Sequence, residues 1–268
     1  MDPILNIALR AGRKASDFIV QASDQLDRII VTNKSVHDFV SNIDIEAEAL
    51  IIREIKKVFP DHSIEAEESG LSDNSKNNDH KWIIDPLDGT TNFIRGIPHY
   101  AVSIAFRHKG RIEHAVVYDP IKQEEFTASR GRGAQLNGSR IRVSGLDQPR
   151  SALYATGIPF SGQPFENMQP YLDCMTALAD QSSGMRRMGA ASLDLAYVAA
   201  GRVDAFWEMF LQPWDIAAGV LLVKEAGGRV ADFQGGDDYL NNGHIVACTP
   251  RLLKPTLKTV GKHLGHLR

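Results

Sequence analysis

Between Trp82 and Phe93 the chain reads Trp82-Ile83-Ile84-Asp85-Pro86-Leu87-Asp88-Gly89-Thr90-Thr91-Asn92-Phe93, an apolar run that ends in two carboxylates three positions apart. A turn at this point brings both acids to one side. Pro86 fixes its own φ at the second turn position, and Gly89 adopts backbone conformations that other residues resist. Asp85, Asp88 and the Leu87 carbonyl can then converge on a hard cation. Gly89-Thr90-Thr91 follows at once and offers consecutive backbone N–H groups at the start of a helical turn, a setting that binds phosphate oxygens. An isolated Asp-Pro-x-Asp-Gly reads most simply as a surface turn. The phosphate-binding stretch behind it is what argues for a loop that holds metal and phosphate together.

Two carboxylates do not complete a Mg²⁺ site, which prefers octahedral oxygen coordination shared among carboxylates, waters and phosphate. Further acids stand at Glu67-Glu68, at the end of a short apolar strand, and at Asp215, where Pro213-Trp214-Asp215 opens a helix. Each alone reads equally as a solvated charge or an ordinary helix cap. Spacing by itself does not bring Glu68, Asp85, Asp88 and Asp215 to one point.

The elements that must position these residues follow from periodicity. Asp2 and Pro3 start a helix whose stripe is Ile4, Ala8, Ala11, Ala15 and Phe18. Ile45, Ala49, Ile52, Ile55 and Phe59 form a second helical stripe stopped by Pro60, with Asp44 at its start. Leu71 to His80 is polar and rich in turn formers, and reads as an exposed loop between two strands. Tyr100 to Arg107, Ile112 to Tyr118, Glu125 to Ser129 and Arg140 to Val143 read as an antiparallel meander. Beyond Gly145 strands are expected near 152–156, 203–208, 229–233 and 244–248, with helices over 191–200 and 215–226, each followed by glycine. No linker-like stretch and no repeat divides the chain.

Composition excludes more than it assigns. The 268 residues suffice for a large core, and 30 Lys and Arg against 33 Asp and Glu give a net charge of −3, so direct binding of nucleic acid is not expected. Cys174 and Cys248 are far apart and outside any CxxC pattern, which argues against a disulfide framework or zinc site and for a reducing, cytoplasmic setting. The first ten residues are too short an apolar stretch for a signal peptide or membrane span. Nine histidines form no close metal-binding pair, and Gly131-Arg132-Gly133 reads as a turn because no Rossmann helix follows it.

Asp85-Pro86-Leu87-Asp88-Gly89-Thr90-Thr91-Asn92-Phe93 and Trp214-Asp215-Ile216-Ala217-Ala218-Gly219 resemble the two signature segments of the inositol monophosphatase family. Glu67-Glu68-Ser69, Val117-Tyr118-Asp119-Pro120, Gly131 to Gly138 and Glu225-Ala226-Gly227-Gly228 extend the resemblance over nearly the whole chain. Ala155 to Phe160 and Asp194 to Asp204 are most similar to the bacterial SuhB-type branch. The resemblance implies a mixed α/β fold layered α-β-α-β-α, of the inositol monophosphatase and fructose-1,6-bisphosphatase type. It implies one phosphatase domain over 1–268, with a metal- and phosphate-binding half to about 145 and a substrate-contacting half from about 146.

The implied activity is Mg²⁺-dependent hydrolysis of inositol 1-phosphate or a related polyol or sugar phosphate, with two or three ions and inhibition by lithium. By the same resemblance one ion is held by Glu68, Asp85 and the Leu87 carbonyl, a second by Asp85, Asp88 and Asp215, and a weaker third near Glu68. Thr90, paired with Asp44, activates the attacking water with Glu68 beside it, and the Gly89 and Thr90 N–H groups hold the phosphate. Asp88, Ala191, Glu208 and Asp215 contact the alcohol half, and Lys34 flanks the entrance loop. Many animal members have threonine where this chain has Ala190, so a hydroxyl near the substrate is missing. A homodimer is also implied. A bacterial branch member is associated with Nus transcription factors, RNA polymerase and ribosomal RNA synthesis, which makes an interaction role the alternative class.

Overall fold

The first helix, α1 (Pro3–Ser23), begins as its sequence dictates: Asp2 Oδ1 accepts from the Ile4 N–H at 2.9 Å, and Pro3 occupies the first turn, where its missing N–H costs nothing. The protein is described here by a computed structural model covering residues 2–26, 30–35, 38–72, 79–159 and 168–267. After α1 come the hairpin β1 (Val31–Ser35) and β2 (Asp38–Ser41), then α2 (Asn42–Lys56), β3 (Ser63–Ala66), β4 (Gly70–Ser72), β5 (His80–Asp88) and the short α3 (Thr90–Ile94). A meander follows: β6 (Ala101–His108), β7 (Arg111–Asp119), β8 (Glu124–Ser129), β9 (Gly133–Leu136) and β10 (Ser139–Arg140). The remainder alternates as β11 (Leu153–Thr156), α4 (Gln169–Ala179), β12 (Gly184–Arg186), α5 (Ala191–Ala199), β13 (Ala205–Glu208), α6 (Pro213–Glu225), β14 (Arg229–Ala231), α7 (Tyr239–Asn242), β15 (Ile245–Cys248) and α8 (Leu253–Leu264).

Two larger sheets organise these elements. One has the order β10-β9-β8-β7-β6-β5-β3-β4 and the other β12-β11-β13-β15-β14. The first is antiparallel except for β3 beside β5, and the second has β12, β11 and β13 mutually parallel. Alternation assigns each face of the first sheet to a different core. Ile64, Trp82, Ile84, Val102, Ile104 and Val116 pack with Ile7, Ala11 and Ala15 of α1 and Ile51 and Ile55 of α2. Ile83, Ala105, Ala115, Val117 and Phe126 on the other face meet Leu195 of α5 and Leu221 of α6, which in turn meet Ala155, Phe206 and Ala247 of the second sheet. Tyr154, Trp207 and Cys248 face outward onto Cys174 of α4 and Val260 of α8. The layers are therefore α-β-α-β-α.

The structure corrects several expectations. The buried face of α2 is Ile43, Ala47, Ile51 and Ile55, while Ile45 is 54% exposed. The stripe was misread because the inner face also carries Asp44, Glu48 and Glu54, each of which has partners. Pairing in the meander ends at Arg140, short of Val143, and β12 and β1–β2 add strands that alternation did not signal. Of the Leu71–His80 segment, Leu71–Ser72 lengthen a hairpin strand and His80 opens β5, while 73–78 lie outside the described residues.

Candidate active site

The turn expected at Asp85 to Asp88 is instead the bulged end of β5. Asp85 pairs with Ser103 and Asp88 with Ala101, so three steps along β5 match two along β6. One extra residue returns Asp88 to the face that Asp85 occupies, whereas a regular strand would point residues three apart to opposite faces. Pro86 has no N–H to give the ladder, and the Leu87 N–H donates to Asp85 Oδ1 at 3.0 Å, which makes the bulge self-contained.

The other acids arrive on neighbouring elements. The Glu67 N–H donates to the Ile84 carbonyl at 3.2 Å, extending the parallel β3–β5 pairing past Ala66 and setting Glu67 next to Asp85. Ser103 Oγ, opposite Asp85, donates to the Trp214 carbonyl at 3.2 Å and so anchors the start of α6, which carries Asp215. Asp215 Oδ2 accepts from the Gln212 N–H at 2.7 Å and caps its own helix. Glu67, Asp85, Asp88 and Asp215 thereby line one cavity of about 190 Å³ with Leu87, Gly89, Thr90 and Glu208.

Glu68 is not in that wall. Its N–H is held by Glu48 Oε2 at 2.8 Å and that of Ser69 by Glu48 Oε1 at 2.9 Å, and adjacent residues leaving a strand point to opposite sides. The acid that the structure brings to Asp85 is Glu67.

Thr90 Oγ1 donates to Asp44 Oδ1 at 2.7 Å and lies 3.0 Å from the Leu87 carbonyl. Asp44 itself is buried at the start of α2, where Oδ2 accepts from the Ser41 N–H at 2.9 Å and from the Ser41 hydroxyl. Gly89, at φ 94°, precedes Thr90; a Cβ there would stand 3.1 Å from the His99 carbonyl and 3.3 Å from that of Gly189. Only glycine reconciles that φ with that closeness. Asn92 Nδ2 donates to the carbonyls of His99 at 2.8 Å and Met188 at 2.9 Å, joining this loop to the segment before α5.

Acids outnumber bases in the cavity wall, where Arg187 is the one Lys or Arg among the described residues. Burial, followed by repulsion from Glu67, Asp88 and Asp215, holds the Asp85 carboxyl well above its ordinary range. Burial also raises Asp215, with Asp88 adding to it. Asp88 is pushed up to about 6 by burial, although two bonds from Ser192 oppose the shift. Burial pushes Glu208 up to about 8 against the pull of Arg187, and it raises Asp44 against bonds from Ser41 and Thr90. Acids that raise one another gain from a shared cation, and an all-oxygen donor set with a nearby carbonyl suits a hard divalent ion. Among the described residues no three Asp, Glu, His or Cys side chains are gathered into a finished metal cage.

Two supporting residues escaped the sequence reading. The N–H of Ser192 donates to Asp88 Oδ2 at 2.7 Å and its hydroxyl at 2.5 Å, so Asp88 caps the N-terminus of α5 from another element. Tyr171 donates its hydroxyl to the Gly157 carbonyl at 2.6 Å. The uncapped start of α5, with Ala190 at its N-cap, is the sequence signal that could have pointed to Ser192. Ala190 and Ala191 line the cavity beside Glu208. Lys34 lies in β1, and its side chain is outside the described residues.

With this geometry in view, the comparisons are decisive: residues 1–264 match the sequence profile of the inositol monophosphatase family. The chain belongs to that family. A Nus factor SuhB from Pseudomonas aeruginosa is 54% identical over 265 residues, 98% of each chain. Its namesake from Escherichia coli K12 is 50% identical, over 99% of this chain and 98% of the other. The solved extragenic suppressor protein suhB of Bartonella henselae superposes with a TM-score of 0.94 at 40% identity, covering 98% of this chain and all of that one. Two more distant family structures, each 25% identical with a TM-score of 0.79 over 91% of this chain, carry ions. One is an IMPase/NADP phosphatase complexed with NADP and Ca²⁺, covered to 90%, and the other a staphylococcal inositol monophosphatase soaked in LiCl as an inhibitory complex, covered to 89%. Among the described residues no helix is long and apolar enough to cross a membrane.

Proposed function

We propose that this family member is a Mg²⁺-dependent phosphomonoesterase acting on inositol 1-phosphate or a related polyol or sugar phosphate. The observation that carries the reading is one cavity wall holding Glu67, Asp85, Asp88 and Asp215 beside the Gly89-Thr90 backbone and the Thr90–Asp44 hydrogen bond. These four acids and the Leu87 carbonyl are the groups that would hold two or three Mg²⁺ ions, Glu67 taking the place that the sequence assigned to Glu68. Bound Mg²⁺ lowers the pKa of water and neutralises charge on the phosphoryl oxygens and leaving alkoxide.

The chain's own residues supply the rest. With the Thr90 hydroxyl proton given to Asp44 or the Leu87 carbonyl, its oxygen is left to accept a hydrogen bond from the attacking water and orient it. The Gly89 and Thr90 N–H groups hold the phosphate, and Glu208, Asp88, Asp215 and the backbone at Ala191 receive the alcohol half. In this reading 1–145 is the metal and phosphate half of one domain and 146–268 the substrate half. The buried free thiols of Cys174 and Cys248 suit a cytoplasmic setting, and lithium inhibits.

The test is phosphate release from inositol 1-phosphate with Mg²⁺ by the parent and by Asp88→Asn. At least about 100-fold loss in the variant is expected. Equal rates, or a parent that turns over no polyol phosphate, would sink the reading.

A second role is supported by the names of the 54% and 50% identical relatives. We propose that the chain, as a homodimer, also joins an assembly of Nus factors and RNA polymerase. Capture of those proteins at low and moderate salt, retained by Asp88→Asn, is the expected outcome; no capture at either salt argues against it.

A further inference from the structure

Three adjacent strand ends contribute to the cavity that the four acids line. β12, β11 and β13 run parallel, with Ala155 beside Arg186 and Thr156 beside Trp207. Glu208 thus comes level with Gly157 and Arg187 one step earlier, level with Thr156, and all of Arg187, Gly157 and Glu208 line the cavity at the carboxyl ends of these strands, where parallel sheets receive ligands. Strand spacing sets the stems of Arg187 and Glu208 roughly 10 Å apart, with β11 between them.

Both charged groups are seated on a position that has no side chain. A Cβ on Gly157 would fall 1.7 Å from Glu208 Oε1, and one on Gly189 would fall 2.5 Å from Arg187 Nη1. The Tyr171 hydroxyl fixes the Gly157 carbonyl in the middle. Arg187 is the one Lys or Arg among the described residues of the cavity wall.

We infer that Arg187 is a substrate-contacting specificity residue, its guanidinium donating to an oxygen of the alcohol half next to the hydroxyl whose proton Glu208 accepts. This rests on the phosphatase reading of the same cavity. A guanidinium only donates and Glu208, once ionised, only accepts, so the pair is then complementary to two neighbouring hydroxyls, one used through its lone pair and the other through its proton. A second anionic group gains from Arg187 but is repelled by Glu208. The favoured alcohol is thus a neutral vicinal diol rather than a bisphosphate or a hydroxyl-free ester.

The experiment compares kcat/KM for inositol 1-phosphate with that for phenyl phosphate, whose alcohol half has no hydroxyl, in the parent, Arg187→Gln and Arg187→Lys. The inositol-to-phenyl ratio is expected to fall about tenfold in Arg187→Gln, through KM, and by less in Arg187→Lys, which keeps a cationic donor. A ratio unchanged within about twofold in Arg187→Gln overturns the inference while leaving the phosphatase standing. Calorimetric binding of inositol 1-phosphate with Ca²⁺ in place of Mg²⁺ makes the same comparison without turnover. An inactive parent that binds the ester about tenfold tighter than Arg187→Gln ends the phosphatase reading and keeps the inference. Equal affinities, or no binding by the parent, overturn it.

Discussion

Thr90 has one hydroxyl proton and two acceptors in reach, Asp44 Oδ1 at 2.7 Å and the Leu87 carbonyl at 3.0 Å, and the closer Asp44, when ionised, is the stronger acceptor. Thr90→Val keeps the shape and removes the oxygen, so kcat for inositol 1-phosphate is expected to fall about 100-fold with KM little changed, while Thr90→Ser keeps most of the rate. Steady-state kinetics showing valine and serine alike would contradict the role. At this scale the sequence was legible where residue type limits the options. Asp85, Asp88, Gly89 and Thr90 stood out as one loop able to take metal and phosphate, whereas Asp215 was joined to them only through the family resemblance. Glu67 and Glu68 were not separable, since identical neighbours differ only in the side to which they point, and a parallel strand pairing decides that. Tyr171 gave no signal, its partner Gly157 lying 14 positions away, and Ser192 only the uncapped start of α5, its partner Asp88 lying 104 positions away.

Helix α2 shows why an element can be found and its face misjudged. Its length and its end near Pro60 were readable, but the inner face mixes Ile43, Ala47, Ile51 and Ile55 with three acids. Glu54 is one of them, 2.7 Å from Lys57, 3.0 Å from Lys14 and 3.1 Å from Arg10. Bonds from Lys57 and then Lys14 draw its carboxyl from 4.5 down to about 2. A depressed acid contributes stability that is fully present above its unfolded value and is lost as pH falls through its folded one. Glu54→Gln should therefore lower unfolding free energy by about 1 kcal/mol above pH 5, a modest figure because the basic partners are half exposed to solvent. Denaturant titrations should show that deficit shrinking between about pH 4.5 and 2. A deficit independent of pH would assign the loss to packing.

Across the whole molecule, α5 and α6 fill the space between the sheets, so Ile83 and Phe126 of one sheet share a core with Ala155 and Phe206 of the other. The two halves should unfold together: urea transitions followed by tryptophan fluorescence and by far-ultraviolet dichroism are expected to coincide, and separated midpoints would show independent halves. The layering was legible through family resemblance and not through periodicity, which located strands without their neighbours. The β5 bulge, the β3–β5 pairing and the Ser103–Trp214 bond bring positions 67, 85, 88 and 215 to one cavity, and each is a long-range fact. The measurement that bears most directly on that convergence is the rate of phosphate release from inositol 1-phosphate with saturating Mg²⁺ for Glu67→Gln beside Glu68→Gln. At least about 100-fold loss in Glu67→Gln, with Glu68→Gln near the parent, is the predicted result. Loss confined to Glu68→Gln, or to neither, would contradict the site as built here.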